Sequence, residues 1–101
     1  MLIMTTYDNY DETKEFFREN KFFGGEESSF IFFKQRMLPA VDLEGKIYMK
    51  SKSEMSLAPN GNGGLLDAIA IDDEIKKYIA TVDYMQIIGV DNVLNKILDP
   101  V

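Results

Sequence analysis

The chain has no cysteine and no histidine anywhere in its 101 residues. Without cysteine there are no disulfides, no thiolate nucleophiles and no cysteine-ligated zinc. Without histidine the usual catalytic triads, imidazole acid–base work and most transition-metal sites are excluded, which leaves carboxylates and backbone amides to carry any chemistry. A metal bound here would be hard and oxygen-liganded. Positive charge is scarce as well, with 11 Lys and Arg against 17 Asp and Glu for a net charge of −6. A nucleic-acid groove needs the opposite balance, so no nucleic-acid partner is expected. No apolar run approaches the ~20 residues of a membrane span. Met1-Leu2-Ile3-Met4 lacks the basic start of a signal peptide. The expectation is a soluble, cytoplasmic protein without a membrane partner.

What remains is ordinary globular material, 46% hydrophobic and 28% charged, enough for one small domain with a modest core. Leu2-Ile3-Met4-Thr5 reads as a short buried strand that ends in the hydroxyls of Thr5 and Thr6. Asp11-Glu12-Thr13 opens a helix, with acids at the positive end of its dipole and Phe16 and Phe17 on one side. Gly24-Gly25 ends that region. Phe30-Ile31-Phe32-Phe33 predicts a second strand, buried on both faces, with Gln35-Arg36 at its exit. Residues 41–43 and 46–49 flank Glu44-Gly45 and predict a hairpin. Leu65, Leu66, Ala68 and Ile69 recur at helical spacing, and a further helix begins at Asp72-Asp73-Glu74 and runs through Ile75, Tyr78 and Ile79. Residues 84–90 predict a third strand ending in Asp91-Asn92. Strands alternating with helices indicate an α/β fold: a mixed, mainly parallel sheet with flanking helices and one hairpin. The phenylalanines belong to the core, since aromatics at these spacings bury large area.

The densest signal is Ala58-Pro59-Asn60-Gly61-Asn62-Gly63-Gly64. Gly61, Gly63 and Gly64 lack Cβ atoms, so they can take positive φ and let main-chain groups approach a ligand. Taken alone, the run reads more readily as a turn or a helix lead-in than as a ligand cradle. Its companions are Thr5-Thr6, Gln35-Arg36 and Asp91-Asn92, all at the carboxyl edge of the sheet, where ligands of α/β proteins collect. Each has an ordinary alternative: a helix cap for the threonines, strand-end solvation for Gln35-Arg36, a turn for Asp91-Asn92.

In order along the chain, Met4-Thr5-Thr6, Phe16-Phe17, Phe22-Phe23-Gly24, Gln35-Arg36-Met37-Leu38-Pro39-Ala40, the glycine run, Val90-Asp91-Asn92 and Asp99-Pro100 together resemble the eukaryotic UDP-N-acetylhexosamine pyrophosphorylases. The resemblance covers essentially the whole chain. UDP-glucose pyrophosphorylases are similar but carry histidine where this loop has Asn62, so the asparagine points to the N-acetylated sugar branch. The resemblance implies a partial Rossmann-like domain of the nucleotide-diphospho-sugar transferase type. It also implies a uridylyltransferase that makes UDP-N-acetylglucosamine and pyrophosphate from UTP and N-acetylglucosamine 1-phosphate, with Mg²⁺ as cofactor. Gln35 and Gly61 would then contact the uracil edge, Asn62 would lie at the sugar or ribose, Asp91 would face Mg²⁺ and the phosphates, and Thr5 and Thr6 would join the substrate contacts.

Several departures accompany the match. Asn60 stands where the family usually has aspartate, Leu66 where an aromatic is common, and Thr6 where serine is found. The family's upstream nucleotide loop, of the type Gly-Gly-x-Gly-Thr-Arg-Leu-Gly, and its downstream lysine-bearing segments have no counterpart in residues 1–101. The expectation is therefore one segment of a catalytic domain, inactive alone and either self-associating or dependent on the missing segments. The alternative is a non-catalytic module that binds a nucleotide sugar or a protein partner.

Overall fold

The computed structural model describes residues 1–98; Asp99-Pro100, the last pair of the resemblance, lies outside the described residues. Strand β1 (Leu2–Thr5) is followed by helix α1 (Tyr10–Glu19) and strand β2 (Ile31–Lys34). β1 and β2 pair in parallel, with Leu2 opposite Ile31 and Thr5 opposite Lys34. A parallel pair needs a crossover connection, and α1 supplies it. The ladder continues one residue past β2, because the Gln35 N–H donates to the Thr5 carbonyl at 2.9 Å.

The alternation of side chains along β2 sends its residues to two faces. On one face Phe17 of α1 lies 5.1 Å from the Phe32 ring and 5.5 Å from the Phe30 ring, both edge-on. On the other, Phe33 packs against Ala68 of helix α2 (Gly64–Ile71) and Ile75 of helix α3 (Asp73–Ile79), with Ile31, Leu65, Ile69 and Ile79 around them. The continuous apolar run at 30–33 thus has helices on both sides.

Between α1 and β2 the chain makes a left-handed turn. Lys21, Phe22 and Phe23 take φ of 50°, 50° and 53°, a conformation that costs roughly 1–2 kcal/mol per L-residue. The surrounding rings stabilise it, with Phe23 at 5.2 Å from Phe17 and Phe22 at 5.5 Å from Phe30. Gly25 is required there, since a Cβ would fall 2.8 Å from the Phe30 ring.

From β2 the chain makes an excursion before reaching α2. Strands β3 (Met37–Pro39) and β6 (Leu57–Pro59) are its antiparallel base, and β4 (Met49–Ser51) pairs with β5 (Glu54–Met55) near its end. The hairpin expected around Glu44-Gly45 forms in a short version: the Asp42 N–H donates to the Lys46 carbonyl at 2.9 Å and the Tyr48 N–H to the Ala40 carbonyl at 2.8 Å. These bonds flank one bridge, Val41 to Ile47. The Asp42 carboxylate accepts the N–H groups of Glu44 and Lys46 at 2.9 and 2.8 Å and so fixes the turn locally. The named ladders of the excursion are β3–β6 and β4–β5.

Two expectations are corrected. The sheet is not mainly parallel: of the three two-stranded pairs described, only β1–β2 is parallel. Residues 84–90 do not form a third strand, and Tyr84 and Val90 are each 93% exposed. A strand is stable only when a neighbour pairs its N–H and C=O groups. No ladder pairs this segment with β1 or β2, and its described hydrogen bonds are local: Gln86 holds the Lys96 carbonyl and the Leu98 N–H, and Asn95 holds the Gly89 carbonyl. The fold is mixed α/β, and among the described residues no helix is long and apolar enough to cross a membrane.

Candidate nucleotide-binding site

The parallel pair and the excursion bring three of the polar sites to one end of the fold. Thr5, at the end of β1, is 4% exposed, and its Oγ1 donates to the Phe33 carbonyl at 2.9 Å. Gln35 follows Phe33 by two residues along the same ladder and so shares its face, the one that α2 and α3 cover. It is 8% exposed, and its Oε1 is buried without a hydrogen-bond partner. A buried amide oxygen left unpaired costs about 1–3 kcal/mol.

The glycine loop joins this end through the backbone. The Arg36 carbonyl accepts the Asn60 N–H at 3.1 Å, one rung beyond the pairing of Met37 with Pro59. The register of β3 and β6 therefore sets Asn60-Gly61 beside Gln35-Arg36.

The three glycines of the loop do different things. Gly61 has φ +69°, and a Cβ there would meet no protein atom within 4 Å, so its open side faces free space. Gly63 instead takes helical angles, φ −63° and ψ −25°, at the start of α2. Gly64 is buried within the first turn, where a Cβ would lie 2.9 Å from the Cβ of Asn60. The expectation of a positive φ holds at Gly61 alone; Gly64 serves close packing. The Gly64 N–H donates to the Gly61 carbonyl at 3.1 Å, and the Leu65 N–H to the Asn62 carbonyl at 3.3 Å. These bonds fold the loop into the helix and leave the Asn62 side chain exposed.

Thr6 turns toward α1. Its N–H and hydroxyl both donate to the Asn9 Oδ1, at 2.8 and 3.0 Å. Asn9 is the N-cap of α1, so the threonine anchors the start of that helix, the alternative that its place also allowed. No described contact joins Asp91 to this group. It is exposed in the segment after α3, and no strand pairing joins that segment to β1, β2 or the glycine loop. The depressed carboxyl of Asp73, held down by a hydrogen bond and the charge of Lys76, also lies away from the loop on α3.

One arrangement at this edge escaped the sequence. The Lys34 ammonium sits 4.3 Å from the Tyr10 ring centroid and 5.2 Å from that of Tyr7, a cation–π pairing beside Gln35. The signal was a lysine directly before the glutamine, with tyrosines flanking the α1 lead-in.

A family model for the UTP–glucose-1-phosphate uridylyltransferases matches residues 1–101. The chain belongs to that family. It is 45% identical over 104 residues to the "Probable UDP-N-acetylglucosamine pyrophosphorylase" of Dictyostelium discoideum, across 98% of this chain and 21% of that protein. It is 39% identical over 101 residues to the "UDP-N-acetylhexosamine pyrophosphorylase-like protein 1" of Xenopus tropicalis, across 98% of this chain and 20% of that protein. Among solved structures, the "putative UDP-N-acetylglucosamine pyrophosphorylase from Entamoeba histolytica" superposes with a TM-score of 0.69 at 35% identity, across 78% of this chain and 20% of that one. These names bear out the resemblance to the N-acetylhexosamine branch of the uridylyltransferase family. The chain spans about a fifth of the length of the curated relatives it matches.

Proposed function

We propose that this chain supplies the uridine end of the active site of a UDP-N-acetylglucosamine pyrophosphorylase, as one segment of a catalytic domain with a Rossmann-like sheet, working in the cytoplasm. The observation that carries this reading is the buried, unpaired Oε1 of Gln35, held beside a loop whose Gly61 leaves open space where a side chain would project. A uracil edge offers what that oxygen lacks. Its N3–H is a donor, and a neighbouring carbonyl can accept from the Gln35 amide nitrogen. Gly61 can reach the base with its main chain, and Asn62, exposed at the tip, is placed for the sugar or ribose.

In the reaction an anionic oxygen of N-acetylglucosamine 1-phosphate forms a bond to the α-phosphorus of UTP. The bond to the β-phosphate oxygen breaks, and pyrophosphate leaves. The attacking oxygen already carries charge, so the protein's task is alignment and charge stabilisation. Histidine-free chemistry is adequate for this.

Mg²⁺ belongs to the same proposal, although no described contact joins Asp91 to the Gln35–Gly61 end of the fold. Among the described residues no three acidic or imidazole groups converge on one point, but Mg²⁺ commonly takes only one or two protein carboxylates and completes its shell with water and phosphate oxygens. Asp91, exposed, would be its protein ligand, and the bound ion would neutralise phosphate charge.

The test is UTP binding by the polypeptide that carries this segment. Gln35→Ala is expected to weaken UTP about tenfold or more, the cost of one lost buried hydrogen bond and its partner's desolvation, while pyrophosphate release from UTP and N-acetylglucosamine 1-phosphate falls in parallel. Unchanged UTP affinity in that variant rejects the reading.

A further inference from the structure

Thr5 sits where a substrate hydroxyl contact was expected, yet its groups are turned inward. Its Oγ1 donates to the Phe33 carbonyl at 2.9 Å, and its own carbonyl accepts the Gln35 N–H at 2.9 Å. It therefore grips β2 on both sides of Lys34. At 4% exposure it has little surface left for a ligand, and Gln35, the residue it holds, is the one with an unpaired buried oxygen.

We infer that Thr5 is a positioning residue for base recognition: it fixes the backbone at 33–35 so that the Gln35 amide meets the pyrimidine in one orientation. This deepens the reading given above and rests on it. The physical need is clear. Glutamine is among the side chains with most rotamer freedom to lose, and its amide presents a donor and an acceptor that exchange places when the group flips. A uracil edge and a cytosine edge differ by that exchange, because cytosine offers an acceptor at N3 where uracil offers a donor. An amide on a loosely held backbone could turn to suit either. A pinned one discriminates, since preorganised groups lose less freedom when they engage.

Three variants of the polypeptide carrying this segment separate the possibilities: Thr5→Val, which keeps the shape but loses the hydroxyl, Thr5→Ser, which keeps the hydroxyl, and Gln35→Ala. The readouts are UTP and CTP dissociation constants, thermal midpoint, and amide hydrogen exchange at Gln35 and Ile75. Thr5→Val is expected to speed exchange at Gln35 more than at Ile75. It should also cut the preference for UTP over CTP by about tenfold, the scale of one buried hydrogen bond. Adding it to Gln35→Ala should reduce the preference no further, and Thr5→Ser should restore it. If Thr5→Val lowers the thermal midpoint but keeps the UTP preference while Gln35→Ala loses it, Thr5 is structural only and the inference is overturned. Equal exchange at Gln35 in wild type and Thr5→Val overturns it as well. If Gln35→Ala itself retains the UTP preference, the uridine reading fails and the base-recognition role of Thr5 fails with it; the exchange data then report separately whether Thr5 holds Gln35.

Discussion

Gly64 owes its place to Asn60, whereas Gly61 owes its own to backbone conformation, and the two should respond differently to the same substitution. At Gly64 a new Cβ would meet the Asn60 Cβ at 2.9 Å and its Nδ2 at 3.0 Å. Gly64→Ala is therefore expected to destabilise by about 1–3 kcal/mol through overpacking, with recovery in an Asn60→Gly background, as measured by chemical denaturation. At Gly61 no protein atom stands in the way, and the cost of alanine is the positive φ of +69°. Asparagine tolerates that region better than alanine, so Gly61→Asn should restore stability relative to Gly61→Ala. If a ligand lies against the open side, neither side chain restores UTP binding, and full recovery by asparagine would show that the loop is only a turn. The sequence carried the position of Gly61 because its neighbours clustered polar residues at one edge. It could not show that Gly64 answers a contact with Asn60, four residues away in the chain, because that contact exists only once the loop has folded back onto α2. The burial of Thr5 was hidden for the same reason: a hydroxyl at a strand end looks like a ligand contact until the neighbouring strand offers it a carbonyl.

Elements were legible where local signals and packing agreed. β1, α1, β2, α2 and α3 all fall within a few residues of the runs that announced them, because each has an apolar face that finds a partner in the β1–β2 core. α3 also begins where its acids placed it. The Asp72 carboxylate accepts the N–H groups of Glu74 and Ile75 at 3.0 and 3.2 Å, and Ile75 is fully buried against Phe33 and Ala68. Asp72→Ala should therefore cost about 1 kcal/mol by loss of the cap. Asp72→Ser should recover most of it in thermal melts, and equal melts for all three proteins would show that α3 is held by Ile75 alone. Residues 84–90 failed as a strand for a reason no single-segment pattern contains. Their apolar composition is right, but a strand's stability belongs to the pair, and among the described residues no strand pairs with them. The hairpin at Glu44-Gly45 was legible but is short: Asp42 fixes its tip, and beyond Ala40 and Tyr48 the pairing passes to Ser56, which the local pattern does not contain.

Taken whole, the molecule is under-packed for its length. Its radius of gyration is 16.5 Å, against about 13 Å for a compact domain of 100 residues. Among the described residues buried hydrophobics are few, namely Phe33, Ala68 and Ile75, while Tyr84, Val90, Val93 and Leu94 are each more than 80% exposed. Large apolar side chains left this exposed along one segment mark a place where another surface belongs. The 101-residue chain, purified alone, is accordingly expected to bind a hydrophobic dye and to gain mass with concentration in sedimentation experiments. Lysine at Val90 and Leu94 should suppress that association without lowering the thermal midpoint, because side chains 93% and 84% exposed make few contacts to lose. A lowered midpoint in the lysine variants would mean that the segment packs on its own core in solution, and a monodisperse monomer that binds no dye would mean that its apolar surface is already covered.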